Sequence, residues 1–183
     1  MRPEDRKQFR AVRRILKNGH GVRLRFLDRR DGPRLAAFYA RVPRRDFRFY
    51  CPYALTAEQA ERNAAAADDP RRVVLVLEDP GDDSIGGYAW YQWKAAEPGI
   101  STFGICIRPD FQGIGAGRKL MTRLLDIAAR VGPPRMQLTV QKANPGAVHL
   151  YRRMGFDIVR EQSREPSFGF GPEPEYAMQR RIR

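Results

Sequence analysis

Between Arg108 and Met121 the chain reads RPDFQGIGAGRKLM, with Gly113, Gly115 and Gly117 crowded into five residues ahead of a helix-forming run. Glycine in regular structure costs roughly 0.5–1 kcal/mol relative to alanine, so three together point to a backbone that must come close to something. The preceding run ISTFGICI (100 to 107) reads as a strand, and Pro109 and Asp110 lead a turn. The glycines then leave successive backbone N–H groups uncovered at a helix start. Such groups lack intrahelical acceptors and lie at the positive end of the helix dipole. That makes an anion site, and a pyrophosphate suits it. The plainer alternative is a tight strand-to-helix turn that needs glycine only for packing. Two familiar phosphate loops fail on spacing. G-x-x-x-x-G-K-[ST] is absent, because Arg118 follows Gly117 and no Ser or Thr follows Lys119; G-x-G-x-x-G fails because its third glycine would fall at 118.

Other chemistry-bearing side chains are sparse. Cys51 and Cys106 stand far apart, with no C-x-x-C or His/Cys spacing, so neither a zinc site nor a redox motif is supported. A disulfide framework is unsupported too, which suits a reducing cytosol. Cys106, between two isoleucines on a strand, reads as a buried thiol rather than a nucleophile. His149 precedes Tyr151 by two residues, so on a helix the two side chains point apart and His149 reads as surface.

The elements that must position these residues alternate. Phe9, Val12, Ile15 and Leu16 recur at helical spacing among cations, which predicts a basic amphipathic helix over about 3 to 17 ended by Gly19. A strand (22 to 27), a helix with Pro33 near its start (33 to 42) and an irregular aromatic stretch, DFRFYCPYAL, follow. Thr56 with Gln59 three residues on predicts a capped helix over 56 to 67. VVLVLE and IGGYAWYQWK flank the turn DPGDDS as a hairpin. After the glycine segment come a helix to about 130, a strand (135 to 141), a short helix stopped by Gly155, and two closing strands. The order describes one α/β domain: a central mixed, mostly antiparallel sheet flanked by helices over 21 to 183, preceded by the basic helix over 1 to 20.

The 183 residues carry a net charge of +13, and its distribution is uneven. Positions 1 to 50 hold 16 Lys and Arg against 5 Asp and Glu; the remainder holds 18 against 16. This asymmetry suits an acidic partner such as nucleic acid, a ribosome, a membrane surface or an acidic substrate. The bland reading is base composition, since 29 of the 34 cations are Arg. The opening residues carry no apolar run of the secretory kind, and no window approaches the ~18 apolar residues of a membrane span. A cytoplasmic location is the expectation.

ICIRPDFQGIGAGRKLM resembles the acetyl-CoA-binding motif of the GNAT N-acetyltransferases, Gln/Arg-x-x-Gly-x-Gly/Ala, here Gln112, Gly115 and Gly117. One strand and helix later, QLTVQKANPGAVHLYRRMGF resembles that family's second signature at Asn144, Tyr151, Gly155 and Phe156. The resemblance implies acetyl-CoA as co-substrate and no metal. It implies that Ile105, Cys106 and Ile107 pair with the pantetheine arm through main chain. The amides of Gly113, Ile114, Gly115, Ala116, Gly117 and Arg118 would then hold the pyrophosphate, with Arg118 and Lys119 adding charge. Asn144 would touch the arm, or cap its helix ahead of Pro145, or both. Tyr151 would donate a proton to the departing thiolate; alone it would read as a core aromatic. An amine would attack directly, with the oxyanion stabilised by an amide of 105 to 107.

One departure concerns the base. A carboxylate on one of the two central strands is common in that family, and neither STFGICI nor QLTVQ carries one. Glu97, Glu165, Glu173 and Glu175 are candidates from loops. The acceptor site is expected from 33 to 67, the aromatic stretch and the loop REPSFGFGPEPE, with Trp90 and Trp93 as packing or pocket wall. A protein N-terminus or lysine is favoured over a small amine because the first half is basic. Homodimers are frequent in the family. Two rival readings are a degenerate core used for binding acyl-CoA or nucleic acid through the basic segment, and an acyltransferase using another acyl-CoA.

Overall fold

The computed structural model describes every residue of the chain except Arg2, Cys51 and Phe168. The expectation for Cys51 therefore lies outside the described residues. A short helix α1 (Pro3–Arg6) precedes strands β1 (Val12–Ile15) and β2 (Gly21–Phe26). Helices α2 (Gly32–Ala40) and α3 (Ala57–Ala65) flank the 3-10 segment Arg44–Phe49. Strands β3 (Arg72–Asp79), β4 (Ser84–Gln92) and β5 (Ile100–Ile107) lead to α4 (Ala116–Ala128). The chain closes with β6 (Arg135–Gln141), α5 (Pro145–Arg153), β7 (Asp157–Arg164) and β8 (Glu173–Arg181).

The eight strands form one sheet in the order β1-β2-β3-β4-β5-β6-β8-β7. All described pairings are antiparallel except β5 with β6. Alternation along β3 divides the core. Val73, Leu75 and Leu77 pack on one face with Leu120, Met121 and Leu124 of α4, whereas Val74 and Val76 pack on the other with Leu35 and Phe38 of α2. α3 is capped as its sequence predicts: Thr56 Oγ1 accepts from Gln59 N at 3.2 Å.

The basic helix predicted over 3 to 17 is corrected. Only Pro3–Arg6 is helical, and VRRI forms a strand in register with β2, Val12 opposite Leu24 and Ile15 opposite Gly21. The reason is turn chemistry. Asn18-Gly19 is a strong hairpin signal; Gly19 takes φ +84, Leu16 N donates to His20 O at 2.8 Å, and His20 N donates to the Asn18 side chain. The apolar residues do not share one buried face either, since Leu16 is buried while Ile15 is 62 % exposed.

The basic first quarter is also less free than its composition suggests. Arg25 pairs with Asp31 and Glu78, Arg23 with Glu78, Arg6 and Arg29 with Asp68, Arg34 with Asp31 and Asp83, and Arg48 with Glu173. Four carboxylates from later in the chain, Asp68, Glu78, Asp83 and Glu173, thus pair with early cations.

Candidate active site

The turn after β5 is built around Arg108. This side chain is 5 % exposed, donates to both oxygens of Asp110 at 2.7 and 2.8 Å and to Ser84 Oγ at 3.0 Å, and lies over the Phe111 ring. Gln112 Nε2 donates to Ile107 O at 2.8 Å, tying the loop back to the strand end. Gly113 and Gly115 take φ +73 and +92, the left-handed region that glycine enters without cost. Gly115 is the N-cap of α4 and supplies no capping side chain. Among the described residues, no protein acceptor meets the N–H groups of 113 to 118. Unpaired amides at the positive end of a 13-residue helix form an anion cradle. Gly117 needs no positive φ, and a Cβ there would meet Leu150 and Ile107 at an ordinary 3.5 and 3.7 Å, so packing alone does not demand glycine.

One neighbour of this cradle was invisible in the motif. Lys17 N donates to Ile114 O at 3.0 Å, and the Lys17 side chain runs across Gly115, with Cγ 3.6 Å from where a Cβ would stand. The β1–β2 hairpin thus braces the glycine loop and brings an exposed ammonium to it.

Strand pairing opens a cleft beside the loop. β4 stays paired with β5 as far as Ile107, opposite Gly87. β6 pairs with β5 only at Ile100–Arg135, Ser101–Met136 and Thr102–Gln137. From Phe103 onward the β6-facing edge of β5 has no strand partner, and its N–H and C=O groups are open to an extended ligand. A cavity of about 840 Å³ runs along this opening, lined by Ile105, Cys106, Ile107, Gln112, the three glycines, Arg118, Asn144 and Lys17. The expected cofactor residues are brought together there, apart from Ile114 and Ala116: Ile114 is held by Lys17, and Ala116 is buried. Lys119 does not line the cavity.

A second cavity, of about 390 Å³, shares Phe49, Tyr50, Ile105, Thr139 and Tyr151 with the first. Tyr151, at the junction, is 8 % exposed. Its ring meets Phe103 edge-on at 6.1 Å and Phe156 at 6.2 Å, and its hydroxyl bonds no described residue. Burial, with a smaller effect from Cys106, raises the phenol above its usual value, so it stays protonated at neutral pH. Cys106 is buried and its thiol is pushed up to about 12, first by burial and then by Asp46, so it is not a thiolate nucleophile.

Asn144 caps α5, its Oδ1 accepting from Ala147 N at 3.2 Å, and still borders the cleft. His149 is exposed on the cleft rim. Trp90 walls the smaller cavity, lying over Gly104, where a Cβ would sit 2.6 Å from the indole; its Nε1 donates to Tyr50 Oη at 3.0 Å. Tyr50 continues through Tyr53 and Tyr88 to the buried Arg72, so this wall is fixed by a hydrogen-bonded chain. Trp93 instead stacks on Tyr91.

The smaller cavity corrects two expectations. Among the described residues the stretch REPSFGFGPEPE (164 to 175) contributes only Arg164 to the smaller cavity; the polar faces of β6, β7 and β8 form the floor, through Gln137, Thr139, Gln141, Arg160, Gln162 and Ala177. Glu173 and Glu175 lie on β8 rather than in a loop. The aromatic segment does contribute, with Phe49, Tyr50 and Pro52 as a roof held by Arg48–Glu173 at 2.8 Å and by Arg164 donating to Arg48 O. Among the described residues, none of the four candidate glutamates, Glu97, Glu165, Glu173 and Glu175, lines either cavity. Asp46, which sequence reasoning missed, borders the larger one.

The sheet, mixed and splayed at its one described parallel pair, carries an anion cradle at the mouth of the splay and a buried phenol where two cavities meet. The profile described as "Acetyltransferase (GNAT) family" matches residues 34–156, and the chain belongs to that family, whose co-substrate is acetyl-CoA. The chain is 32% identical over 110 residues to a mycothiol acetyltransferase of Propionibacterium freudenreichii, covering 58% of this chain and 34% of that protein. It is 34% identical over 101 residues to the L-amino acid N-acyltransferase MnaT of Escherichia coli, covering 54% and 57%. The chain thus spans about a third to just over half the length of these curated relatives. The solved structure of yncA from Salmonella typhimurium with its cofactor acetyl-CoA shares the fold, with a TM-score of 0.73, 22% identity, and coverage of 88% of this chain and 94% of that one. Among the described residues no helix is long and apolar enough to cross a membrane.

Proposed function

We propose that this protein is an N-acetyltransferase that moves the acetyl group of acetyl-CoA directly to a small primary amine, with Tyr151 as the proton donor. The observation that carries the reading is the end of β5–β6 pairing at Thr102–Gln137, which opens a free strand edge between the glycine cradle and Tyr151. The residues fit the co-substrate. Amides of 113 to 118, with Lys17 and Arg118, hold phosphates; the free edge of Ile105, Cys106 and Ile107 pairs with the amide-bearing arm; Asn144 lines its path. The co-substrate supplies an activated acyl carbon and a thiol leaving group. The chain supplies an amide of β5 for the developing oxyanion and, from Tyr151, a proton for the departing sulfur.

For the acceptor, a protein N-terminus or lysine gives way to a small amine on two grounds. The cavity floor is a compact polar patch of about 390 Å³ in all, and the curated relatives are named for small acceptors, an amino acid in one and mycothiol in the other. The direct test is calorimetry with acetyl-CoA at moderate and high salt, followed by thiol release with a panel of amino acids, glycyl peptides and polyamines. Tight binding that survives salt supports the reading. Weak binding erased by salt would favour a basic binding module instead.

A further inference from the structure

The amine that attacks a thioester must first lose a proton, and β5 and β6 offer no carboxylate for this. Directly beneath the floor of the smaller cavity lies one, which itself lines neither cavity. Glu175 of β8 stands between Gln141 of β6 and Gln162 of β7, and both neighbours line the cavity, as does Ala177 two residues on. Glu175 is 3 % exposed. Its Oε1 accepts from Gln162 Nε2 at 2.6 Å, and Gln162 is held from its other end by Arg160 Nε at 3.0 Å. Its Oε2 is buried with no hydrogen-bond partner, and the side chain joins no ion pair among the described residues. A buried carboxylate with one idle oxygen is costly unless a donor arrives. The cations around it do not reach it. Arg48 and Arg164 are engaged by Glu173, Arg160 by Gln162, and Lys142 by Glu161 on the far side of the sheet. The titratable and charged groups bordering the joined cavities are Tyr50, Tyr151, Cys106, His149, Asp46, Lys17, Arg118, Arg153, Arg160 and Arg164; Asp46 borders the donor cleft and not this floor.

We propose that Glu175 is the docking group and proton acceptor for the acceptor's amine, an assignment that rests on the acetyltransferase reading above. The acceptor enters as an ammonium and, as the floor side chain Gln162 turns aside, donates N–H to Glu175 Oε2. That N–H bond breaks with its electron pair left on nitrogen, and the proton goes to the carboxylate. The nitrogen lone pair then forms the bond to the acyl carbon as the carbon–sulfur bond breaks. Tyr151 protonates the sulfur and recovers a proton given up by the nitrogen, and Glu175 releases its own to water. One ammonium and one thioester thus yield one amide, one thiol and one proton. Ligands with an N–H donor are selected over quaternary cations of equal charge.

The first test needs no turnover. In protein labelled with carboxyl-¹³C glutamate, the Glu175 resonance is identified by its loss in Glu175→Gln and followed during titration with ethylammonium chloride and with tetramethylammonium chloride. The proposal expects a saturable shift with ethylammonium only. No shift, or equal shifts with both salts, overturns it. The second test uses thiol release with the best amine of the panel. Glu175→Gln keeps an acceptor for Gln162 by presenting its amide oxygen, and is expected to lower kcat/KM about 100-fold, the scale of a lost general base. A Glu175→Gln variant with wild-type kcat/KM overturns the proposal. Acetyl-CoA affinity separates the two layers: wild type and Glu175→Gln should bind it within twofold of each other. If wild type fails to bind acetyl-CoA at all, the transferase reading falls, while the ethylammonium result still judges Glu175.

Discussion

Tyr151→Phe removes one oxygen and leaves the packing intact. The ring keeps its contacts with Phe103 and Phe156. The hydroxyl bonds no described residue, so its loss breaks no protein hydrogen bond. A buried polar group without a partner contributes nothing or costs up to a few kcal/mol, so stability should hold or rise by about 1 kcal/mol. For a chain of this size that is a rise in Tm of roughly 2–4 °C at most. Turnover should behave differently. Removing the positioned acid that protonates a leaving thiolate is expected to cost about 100-fold in kcat, or about 2.7 kcal/mol of barrier. The direction of the pKa sharpens the test. Burial holds the phenol above its ordinary value, so wild type should show no loss of activity from its ionisation up to the ordinary tyrosine pKa of about 10. The assay is thiol release across pH 6 to 10 beside a thermal melt and acetyl-CoA calorimetry. A variant with wild-type kcat would remove Tyr151 from the chemistry and leave it as a core aromatic. A variant that loses Tm and cofactor affinity along with rate would show that the hydroxyl is structural.

Three further outcomes follow from the same geometry. Gly115→Val should abolish acetyl-CoA binding, but φ +92 strains any side chain, so Gly169→Val, at φ +82 with open space, serves as the control: both should lose Tm and only the first should lose affinity. Lys17→Glu should weaken acetyl-CoA roughly tenfold, the scale of one charge-assisted contact, and leave acetyl-pantetheine, which lacks the nucleotide, unchanged in the same calorimetry; equal effects on both would mean the hairpin acts only as a brace. In acid, burial alone would raise Asp31 and Glu78, yet the bonds from Arg25 hold both below the ordinary carboxylate range. Their stabilisation is therefore complete above the unfolded values of about 4 and lost as pH falls through the lowered ones. Arg25→Met should cost about 1.5–3 kcal/mol at pH 7, because Glu78 keeps Arg23 and Asp31 keeps Arg34, and should flatten the acid limb of a Tm-against-pH curve; an unchanged limb would contradict the assignment.

How far the sequence foretold this depends on whether a signal was local. The glycine segment, the Thr56 cap and the Asn144 cap are decided by residues within a few positions of one another, and each appears where the spacing places it. The signatures around Gln112 and Tyr151 also marked the two sides of the cleft. The N-terminal segment failed because apolar spacing was weighed above Asn18-Gly19, and a turn outranks a weak 3.6-residue pattern in a run that has an open sheet edge to join. Glu175 could be noticed but not selected, since its meaning comes from Gln141 and Gln162, residues 34 and 13 positions away that only the β6-β8-β7 order makes adjacent.

The charge asymmetry is the sharpest example of a non-local property. Counted along the chain, the first fifty residues look like a polyanion-binding arm. Folded, β2 lies against β3, which sets Arg23 and Arg25 over Glu78, while the segment before β6's polar face sets Arg48 on Glu173. Among the cations of the hairpin, Lys17 is the one placed over Gly115, by a backbone bond to Ile114. A field of cations would attract many anions weakly and be screened by salt; one ammonium fixed against a row of unpaired amides recognises a phosphate at a defined place. The contrast makes salt dependence the discriminating property of this protein's anion binding. A cradle of amides and Lys17 predicts a shallow slope of affinity against salt, and a basic arm predicts a steep one.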